Sequence, residues 1–273
     1  IFDHMHFKAN AKINLGLFIS AKRPDGYHEL ESLFLPIPWC DEIQFEESEE
    51  FNFSSSGIEI PHDSNGNLVS RAYQLLKKDF DLPNISIHLK KQVPIGAGLG
   101  GGSSDAAHML KALNEYFKLG LNNEKLAQYA LELGSDCPFF IENKAAIASG
   151  RGELLEQVDL PKIPNKLLMV VPPLHISTAK AYSLIKPKQA EHSIKEILKM
   201  PFEDWQSVLI NDFEGALRNE YPVLQEIRKK LLDSKASFVS MSGSGSAFYA
   251  FYENWNELPN FPEDYNVQKL DLA

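Results

Sequence analysis

The sequence has few cysteines and no long apolar run, and each shortage argues against a class of protein. Cys40 and Cys137 stand alone, without CxxC or Cys/His spacing, which argues against a disulfide framework and a zinc site. The eight histidines form no HExxH motif. No apolar run approaches transmembrane length, and no basic segment followed by an apolar one opens the chain. We therefore expect a cytoplasmic protein with no membrane partner.

Basic residues are also in short supply. Lys and Arg number 27 against 37 Asp and Glu, which gives a net charge of −10 and a pI near 5.3. This balance argues against a nucleic-acid partner, because such binding needs clustered basic side chains. An anionic substrate must then be held by a local site. With 273 residues, 44% of them apolar, the chain can bury the core of one large or two ordinary domains.

The most informative feature that is present is a glycine-rich run from Pro94 to Ala107, in which five glycines lead into a serine pair. Glycine allows φ > 0 and has no Cβ, so consecutive N–H groups can converge on an anion. The following residues keep helical apolar spacing, which predicts a helix with Ser103 or Ser104 as N-cap and Gly120 as terminator. The helix N-terminus would add partial positive charge. The run therefore predicts a phosphate-binding loop.

Three familiar glycine motifs and a flexible linker are the alternatives for this run. A P-loop needs Gly-Lys-Ser/Thr, and no lysine lies between Pro94 and Ser104. A protein kinase needs His-Arg-Asp and Asp-Phe-Gly, and neither string occurs. Gly96-x-Gly98-x-x-Gly101 does match the dinucleotide-binding pattern, but no repeating βαβ unit surrounds it. Since a linker would not lead at once into a capped amphipathic helix, nucleotide-phosphate binding is favoured.

Hydrophobic periodicity predicts an α+β chain with a proline-marked boundary near residue 160, hence domains over 1–158 and 159–273. In the first domain it predicts strands over 6–20, 30–37, 43–47 and 85–90, and helices over 68–80, capped by Asn65 or Asn67, and 124–133, closed by Gly134. In the second it predicts strands over 167–171, 237–241, 246–252 and 266–271, and helices over 178–186, 193–200, 203–218 and 222–234. The second order fits a ferredoxin-like α+β sandwich.

Four further segments are chemically ambiguous when each is taken alone. Asp136 lies on a turn held by a following proline, and it could be a base or only an Asx-turn residue. Lys12 could take part in catalysis or be a strand lysine that faces solvent. The turn from Arg23 to His28 could bind a ligand or be a plain hairpin with a surface aromatic. The segment Ser242–Ser246 could bind an anion through exposed N–H groups or only join two strands.

Three motifs in a fixed order resolve much of this ambiguity, because together they resemble the GHMP kinase family. They are Ala11–Leu15, the loop Pro94–Ala107 and the C-terminal glycine motif Ser242–Ala247. Two other segments, Arg23–Leu30 and Leu133–Phe140, are similar to the branch of the family that acts on a cytidine-diphosphate-linked methylerythritol. Mevalonate and homoserine kinases of the family lack the Asp-Gly-Tyr-His element found in Arg23–Leu30.

The resemblance implies a two-domain GHMP-kinase-like fold, with an N-terminal S5-domain-2-like α/β sandwich and a C-terminal ferredoxin-like α+β domain. It implies ATP-dependent phosphorylation of the 2-hydroxyl of that substrate, in the non-mevalonate route to isoprenoid precursors, by the catalytic pair Lys12 and Asp136. The implied substrate contacts are Asn14, Tyr27, His28, Thr178 and Tyr182. The implied nucleotide contacts are Asn67, Lys91, Pro94, Ile95, Gly96, Ala97, Gly98, Leu99, Gly100, Gly101, Gly102, Ser103 and Ser104.

These residues suit phosphoryl transfer, in which catalysis rests on positioning and on charge stabilisation. Asp136 would accept the hydroxyl proton, and Lys12 would stabilise that carboxylate and the attacking oxygen. Mg²⁺ is expected with ATP, and Ser104 is a candidate ligand, although the sequence has no obvious acidic metal cluster. The expected partner is the small-molecule substrate, bound by a monomer or a homodimer.

Three alternatives of function remain at this point. Another GHMP kinase could act on a small alcohol such as homoserine or mevalonate, but such a substrate offers no base for Tyr27 and His28 to bind. A non-catalytic nucleotide-binding protein would have no need to retain both Lys12 and Asp136. A nicotinamide dehydrogenase is disfavoured by the context of the glycine run.

Overall fold

The computed structural model describes residues 4–61, 66–255 and 258–272. By its internal contacts the chain divides into two compact units. The first unit comprises Ile1–Ala11, Trp39–Ile95 and Gly100–Lys144, and the second comprises Lys12–Pro38, Gly96–Leu99 and Ala145–Ala273. The domain boundary between residues 158 and 159 stays a prediction.

Strands and helices are both well represented, with 31% of residues in strands and 30% in helices, so the α+β class is confirmed. The strands are β1 (Met5–Lys22), β2 (His28–Glu47), β3 (Asn52–Gly57), β4 (Ile85–Lys91), β5 (Ala146–Gly150), β6 (Leu154–Gln157), β7 (Lys166–Val171), β8 (Phe238–Met241), β9 (Phe248–Tyr252) and β10 (Asn266–Asp271). The helices are α1 (Leu68–Asp79), α2 (Gly101–Tyr116), α3 (Asn123–Leu133), α4 (Phe139–Glu142), α5 (Thr178–Ser183), α6 (Ile194–Ile197), α7 (Trp205–Val208), α8 (Asp212–Leu217) and α9 (Pro222–Asp233), with a 3₁₀ turn at Phe202–Asp204.

In the first unit, β4 lies between two neighbouring strands. The second half of β2 pairs antiparallel with β4, and β3 pairs parallel with it. Alternate residues of β4 are buried, ending with Leu89 and then Lys91, because successive side chains of a strand point to opposite faces. The apolar faces of α1, α2 and α3 pack against one another. The strand period therefore carries the Lys91 side chain into the interior.

In the second unit, β10, β7, β9 and β8 form an antiparallel sheet in that order. Numbered along the chain within this sheet, the order is 4-1-3-2, and α5 to α9 lie between its first and second strands. The link from β9 to β10 contains no helix in its described residues. A core of buried side chains joins β1 to this sheet and its helices, including Leu17, Val170, Phe213, Leu224 and Phe248.

Three of the predicted elements are joined or interrupted in the structure, and the helices predicted over 178–186 and 193–200 are shorter, at Thr178–Ser183 and Ile194–Ile197. The strands predicted over 30–37 and 43–47 are one strand, β2. Its prolines at 36 and 38 fall between the stretch that pairs with β5 and the stretch that pairs with β4. They therefore remove no hydrogen-bond donor from the pairing with either strand. The helix predicted over 203–218 is broken, because Ile210 O accepts Leu17 N at 2.9 Å and leaves the helical path.

Two helix ends follow the expected chemistry, and one departs from it. Asn67 caps α1, with its Oδ1 accepting Val69 N at 2.8 Å, while the alternative cap Asn65 lies outside the described residues. Gly134 is the C-cap of α3, and its N–H bonds to Ala130 O. Helix α2 ends at Tyr116, four residues before the predicted terminator Gly120. No helix in the described part of the chain is long and apolar enough to cross a membrane.

Candidate active site

The predicted phosphate loop leads directly into helix α2. The helix begins at Gly101, after Gly100 in the left-handed region with φ 67°. The prediction that Ser103 or Ser104 is the N-cap is therefore wrong, since both lie inside the first helical turn. The first turn of an α-helix leaves N–H groups without intrahelical partners, and Gly102 in this turn is exposed. This geometry suits an anion at the start of α2.

Ser104 does not fit the role of a magnesium ligand. Its side chain is fully buried, and its Oγ donates to Asn10 O at 2.6 Å. The hydroxyl also lies 3.2 Å from His108 Nδ1, whose pKa burial lowers to about 4. Across the described ranges, no group of three or more His, Cys, Asp and Glu residues could hold a metal ion. The metal ligands stay undetermined.

A buried ion cluster occupies the end of β4 in the first unit. Lys91 Nζ donates to Asp41 Oδ2 and, at 2.7 Å, to Asp105 Oδ2. Burial opposes the charge of Lys91, but Asp105 and Asp41 outweigh it and raise its pKa. The predicted nucleotide residue Lys91 is thus committed to two carboxylates. A Cβ on Gly101 would lie 3.0 Å from Lys91 Nζ, which places this cation under the start of α2.

Asp105 is the member of this cluster whose hydrogen bonds are incomplete. Its Oδ1 is enclosed and has no hydrogen-bond partner in the described part of the chain. Burial, reinforced by the Asp41 carboxylate, raises the pKa of Asp105 to about 8 against the attraction of Lys91. Asp41 accepts Val93 N at 2.9 Å through its other oxygen, so both of its carboxylate oxygens have hydrogen-bond partners. At neutral pH the Asp105 carboxyl is therefore mostly protonated.

Asp136 lies on the predicted turn of the first unit. Cys137 N donates to Gly134 O at 3.1 Å, which makes Asp136 a central residue of a tight turn between α3 and α4. The Asp136 side chain is half-buried, whereas Cys137 beside it is buried and has its pKa raised to about 12 by burial. A thiol held protonated in this way is not a nucleophile. Asp136 is thus held on a tight turn beside an unreactive thiol.

Lys12 and Asn14 share one face of β1 in the second unit. The alternative in which Lys12 faces solvent is wrong, because the residue is only 3% exposed. Lys12 Nζ donates to Asn14 Oδ1 at 2.5 Å and lies 4.4 Å from the centre of the Phe34 ring. Asn14 Nδ2 donates to Ser32 Oγ at 2.8 Å. These contacts fix the amide and direct its oxygen at the lysine, so the position of the Lys12 ammonium group is well defined.

Two aromatic rings predicted to contact the substrate meet in the second unit. His28 and Tyr182 stack with centroids 4.8 Å apart, and Phe213 packs its edge on Tyr182 at 4.8 Å. Burial and then the charge of Lys22 lower the pKa of His28, so the ring is neutral at pH 7. Thr178 lies one helical turn before Tyr182 on α5, so both side chains share a face of that helix.

Tyr27 lies at the tip of the hairpin between β1 and β2. Its ring is 53% exposed, and the guanidinium carbon of Arg151 lies 4.7 Å from the ring centre. The predicted turn is confirmed, since Arg23 N donates to Tyr27 O at 2.8 Å and Gly26 N to Arg23 O at 3.1 Å. Arg151 covers one face of Tyr27, and such cation–π contacts orient a ring.

The glycine segments Gly96–Leu99 and Ser242–Ala247 touch within the second unit. Ser242 Oγ donates to Gly98 O at 2.8 Å and accepts Asn14 N at 3.2 Å. A Cβ on Gly98, whose φ is 81°, would overlap the Ser242 carbonyl. The prediction of exposed N–H groups on Ser242–Ser246 is not met at two positions, because Ser242 N donates to Ala247 O and Gly245 N donates to Ser242 O. The segment supports the loop rather than offering these groups to an anion.

Several residues that build the site had no motif to reveal them. They are Ser32 and Tyr249, which hydrogen-bond to Asn14; Asn211, which donates to Gly243 O; and Glu214, which accepts from Met241 N next to the C-terminal glycine motif. A cleft of about 1030 Å³, lined by the segment that follows α5 and by residues of α7, α8, α9 and β8, contains none of the predicted site residues. Lys12 and the predicted substrate residues belong to the second unit. Asp136 belongs to the first, so the pairing of Lys12 with Asp136 stays a prediction.

Comparison with known proteins finds two family matches along the chain. The description "GHMP kinases N terminal domain" matches residues 67–144, and "GHMP kinases C terminal" matches residues 184–262. A "4-diphosphocytidyl-2-C-methyl-D-erythritol kinase" of Bacteroides fragilis is 47% identical over 267 residues, which are 96% of this chain and 94% of that protein. A protein of Cytophaga hutchinsonii with the same name is 41% identical over 89% of this chain and 90% of its own length.

Solved structures show the same likeness. A crystal structure of 4-(cytidine 5'-diphospho)-2C-methyl-D-erythritol kinase matches with a TM-score of 0.82 and 31% identity, covering 98% of this chain and 100% of that one. A homoserine kinase from Cytophaga hutchinsonii matches with a TM-score of 0.71 and 17% identity, covering 98% and 95%. The second likeness reports a shared fold alone.

Proposed function

Because the chain belongs to the GHMP kinase family, we propose that it transfers a phosphoryl group from ATP to the 2-hydroxyl of 4-(cytidine 5'-diphospho)-2-C-methyl-D-erythritol, in the non-mevalonate route to isoprenoid precursors. Relatives named for a kinase of this substrate are 41–47% identical over most of the chain. The proposal therefore rests first on similarity along the whole length and then on the chemistry of particular residues.

The observation that carries the substrate class is the ring pair of His28 and Tyr182, next in the chain to the exposed ring of Tyr27. A small alcohol such as homoserine offers no flat base to three such rings, whereas cytosine does. Stacking on an aromatic ring contributes about 1–3 kcal/mol per base. Neutral His28 adds a ring nitrogen that can accept a hydrogen bond from the 4-amino group of cytosine.

In the proposed reaction the substrate hydroxyl oxygen forms a bond to the γ-phosphorus as the bond to the β,γ-bridging oxygen breaks. ATP supplies the phosphoryl group. Asp136 accepts the hydroxyl proton, and Lys12, directed by Asn14, stabilises charge on the attacking oxygen. The start of α2, with Gly102 exposed in its first turn, holds the phosphates. Proton acceptance of this kind contributes about 10²–10⁴-fold to the rate.

The proposal includes three finer expectations. Mg²⁺ accompanies the triphosphate and would offset part of its charge. Its ligands are residues other than Ser104, whose buried hydroxyl donates to Asn10 O. The protein acts in the cytoplasm on a small molecule, without a nucleic-acid partner, as a monomer or a homodimer. Dependence of turnover on added Mg²⁺, cell fractionation and light scattering of the purified protein check these expectations in turn.

The deciding experiment follows ADP release with ATP and a panel of acceptors. The panel contains the cytidine-linked substrate, its uridine-linked analogue, free methylerythritol, homoserine and mevalonate. We expect turnover with the cytidine-linked compound and poorer turnover with the uridine-linked one, because a carbonyl replaces the 4-amino donor. Equal rates with the linked and free compounds would refute the cytidine assignment, and turnover of homoserine alone would restore the small-alcohol alternative.

A further inference from the structure

Side chains seal the outer edge of β8. This strand is the last in the order β10-β7-β9-β8, so one of its edges has no neighbouring strand in the sheet. At Val239, Gln206 accepts the N–H at 2.7 Å and donates to the carbonyl at 3.1 Å. At Met241, Glu214 accepts the N–H at 3.1 Å and Asn211 donates to the carbonyl at 2.7 Å. Two residues of the same strand are thus held in the same way by different side chains.

Asn211 differs from Gln206 because it reaches beyond the strand. Its Nδ2 also donates to Gly243 O at 2.9 Å, and its Oδ1 accepts Phe213 N at 2.9 Å at the start of α8. The residue is 4% exposed. Only one orientation of the amide satisfies all three bonds, since the reverse would set its oxygen against two carbonyls. Both amide protons therefore hold the carbonyls on either side of Ser242.

Ser242 passes this constraint to the predicted active-site residues. Its Oγ donates to Gly98 O and accepts Asn14 N, and Asn14 in turn accepts from Lys12. The backbone of Gly243 lies close to Gly98, because a Cβ on Gly243 would be 3.1 Å from Gly98 Cα. A shift of Ser242 would therefore move both the phosphate loop and the amide that directs Lys12.

We propose that Asn211 is a positioning residue for phosphoryl transfer, which acts by fixing Met241 and Gly243 so that Ser242 aligns Gly98 with Asn14. This inference rests on the proposed function. Glu214 assists from the other side of Met241, and its carboxylate is itself held by Arg228 Nε at 2.5 Å. Asp212 ties the same helix start to β1 by accepting Ile19 N at 2.8 Å. The start of α8 thus joins β1 to the segment after β8.

Asn211→Asp is the sharpest test, because it keeps an oxygen to accept Phe213 N but replaces the two donated hydrogen bonds by repulsion. A misplacement of about 1 Å can cost roughly 100-fold in rate, so we expect kcat to fall about 10- to 100-fold. We expect the KM for the cytidine-linked substrate to stay within about twofold, since no ring contact changes. Gln206→Ala is the matched control, because it removes two backbone hydrogen bonds from the same strand without touching Ser242.

The measurement is kcat at saturating substrates, well below the melting temperature of each variant. A tenfold or larger loss in Asn211→Asp, with near-native kcat in Gln206→Ala, supports the inference. Equal kcat in the two folded variants overturns it. Asn211→Ala replaces Asn211→Asp if the latter does not fold, and if neither folds while Gln206→Ala does, the role is structural only and the inference fails. If the wild type does not turn over the substrate, the proposed function fails instead, and affinity for an ATP analogue becomes the readout for the same variants.

Discussion

In the first unit the predicted nucleotide residue Lys91 is buried between two carboxylates, whereas in the second unit the predicted acceptor residues are rings, an amide and a hydroxyl. Lys91, Asp41 and Asp105 are all at most 3% exposed. Asn14, Tyr27, His28, Thr178 and Tyr182 belong to the second unit, although about 150 residues separate His28 from Thr178 along the chain.

The difference between the units has a physical reason. An anionic triphosphate needs positive charge and fixed N–H donors, and a buried cation keeps its charge only with carboxylates beside it. A nucleobase is neutral, so rings and single hydrogen bonds suffice to recognise it. Under the proposed function, variants of the buried cluster in the first unit should therefore change phosphate handling or stability, and variants of the rings Tyr27, His28 and Tyr182 should change acceptor binding.

The largest effect is expected at Asp136, which would set the first unit apart as the source of the base. Asp136→Asn keeps the shape of the side chain but cannot take the proton, so kcat should fall by about 10²–10⁴-fold. Affinity for an ATP analogue, measured by calorimetry, should change little. Asp81→Asn, which alters an exposed carboxylate of the same unit, is the control. Near-native turnover would leave Asp136 as a structural turn residue.

Tyr27 carries the next largest effect and tests the second unit. Tyr27→Ala should raise the KM for the cytidine-linked substrate by roughly 10- to 100-fold, the equivalent of about 1–3 kcal/mol of stacking. Tyr27→Phe keeps the ring and should restore most of the affinity. The KM for ATP should not change in either variant. A parallel rise in the KM for ATP would show that acceptor binding and ATP binding do not depend on different units.

Sequence reasoning located the elements of this comparison but not the contacts inside them. The Asn67 cap and the helix after the glycine loop followed from local spacing, because hydrogen bonds between near neighbours decide them, and β4 followed from the alternation of its apolar residues. The role of Ser242–Ala247 was missed, because a glycine-serine segment that supports another loop has the same composition as one that binds an anion. Only contacts across more than 140 residues, such as Ser242 with Gly98, distinguish the two.

The same limit applies to lysines and to strand ends. Nothing local distinguishes Lys12, which is buried beside an amide, from the exposed lysines of other strands. Lys91 is different, because the alternation Ile85, Ile87, Leu89 points it inward, and that signal is readable. Asn211 immediately precedes the short helix α8, inside the longer helix that was predicted over 203–218. No local feature of the sequence therefore indicated its tertiary role.

Gly102 offers a smaller and more selective test of the phosphate site. A Cβ on Gly102 would meet only Leu68 Cδ1, at 3.4 Å, so Gly102→Ala should fold and gain the helical preference of alanine. The methyl group would nevertheless project from the first turn of α2, and we expect affinity for an ATP analogue to fall about tenfold, or about 1.4 kcal/mol.

Gly215→Ala is the matched control for Gly102, since it is also a helical glycine and a Cβ there would meet nothing within 4 Å. Calorimetric titration of both variants measures the effect. Gly98→Val is less informative, because its Cβ would collide with Ser242 as well as obstructing phosphate. Unchanged affinity in Gly102→Ala would move the phosphates away from the start of α2.

The last effect is on stability rather than on turnover or binding, and it is expected in the pH dependence of the ion cluster in the first unit. The pKa of Asp105 is raised from 3.8 to about 8 in the folded protein, so between pH 4 and 8 the unfolded chain releases a proton that the folded chain keeps. Stability must then fall as pH rises through that window and level off above it.

Asp105→Asn mimics the protonated carboxyl and should remove this slope. At pH 8 we expect the melting temperature of this variant to exceed that of the wild type by roughly 2–4 °C for each kcal/mol gained in the free energy of unfolding. Near pH 4 we expect no difference. Asp81→Asn, at an exposed site, should leave the slope as it is. Parallel curves for Asp105→Asn and the wild type, measured by thermal denaturation across this range, would mean that Asp105 is ionised beside Lys91 in the folded protein.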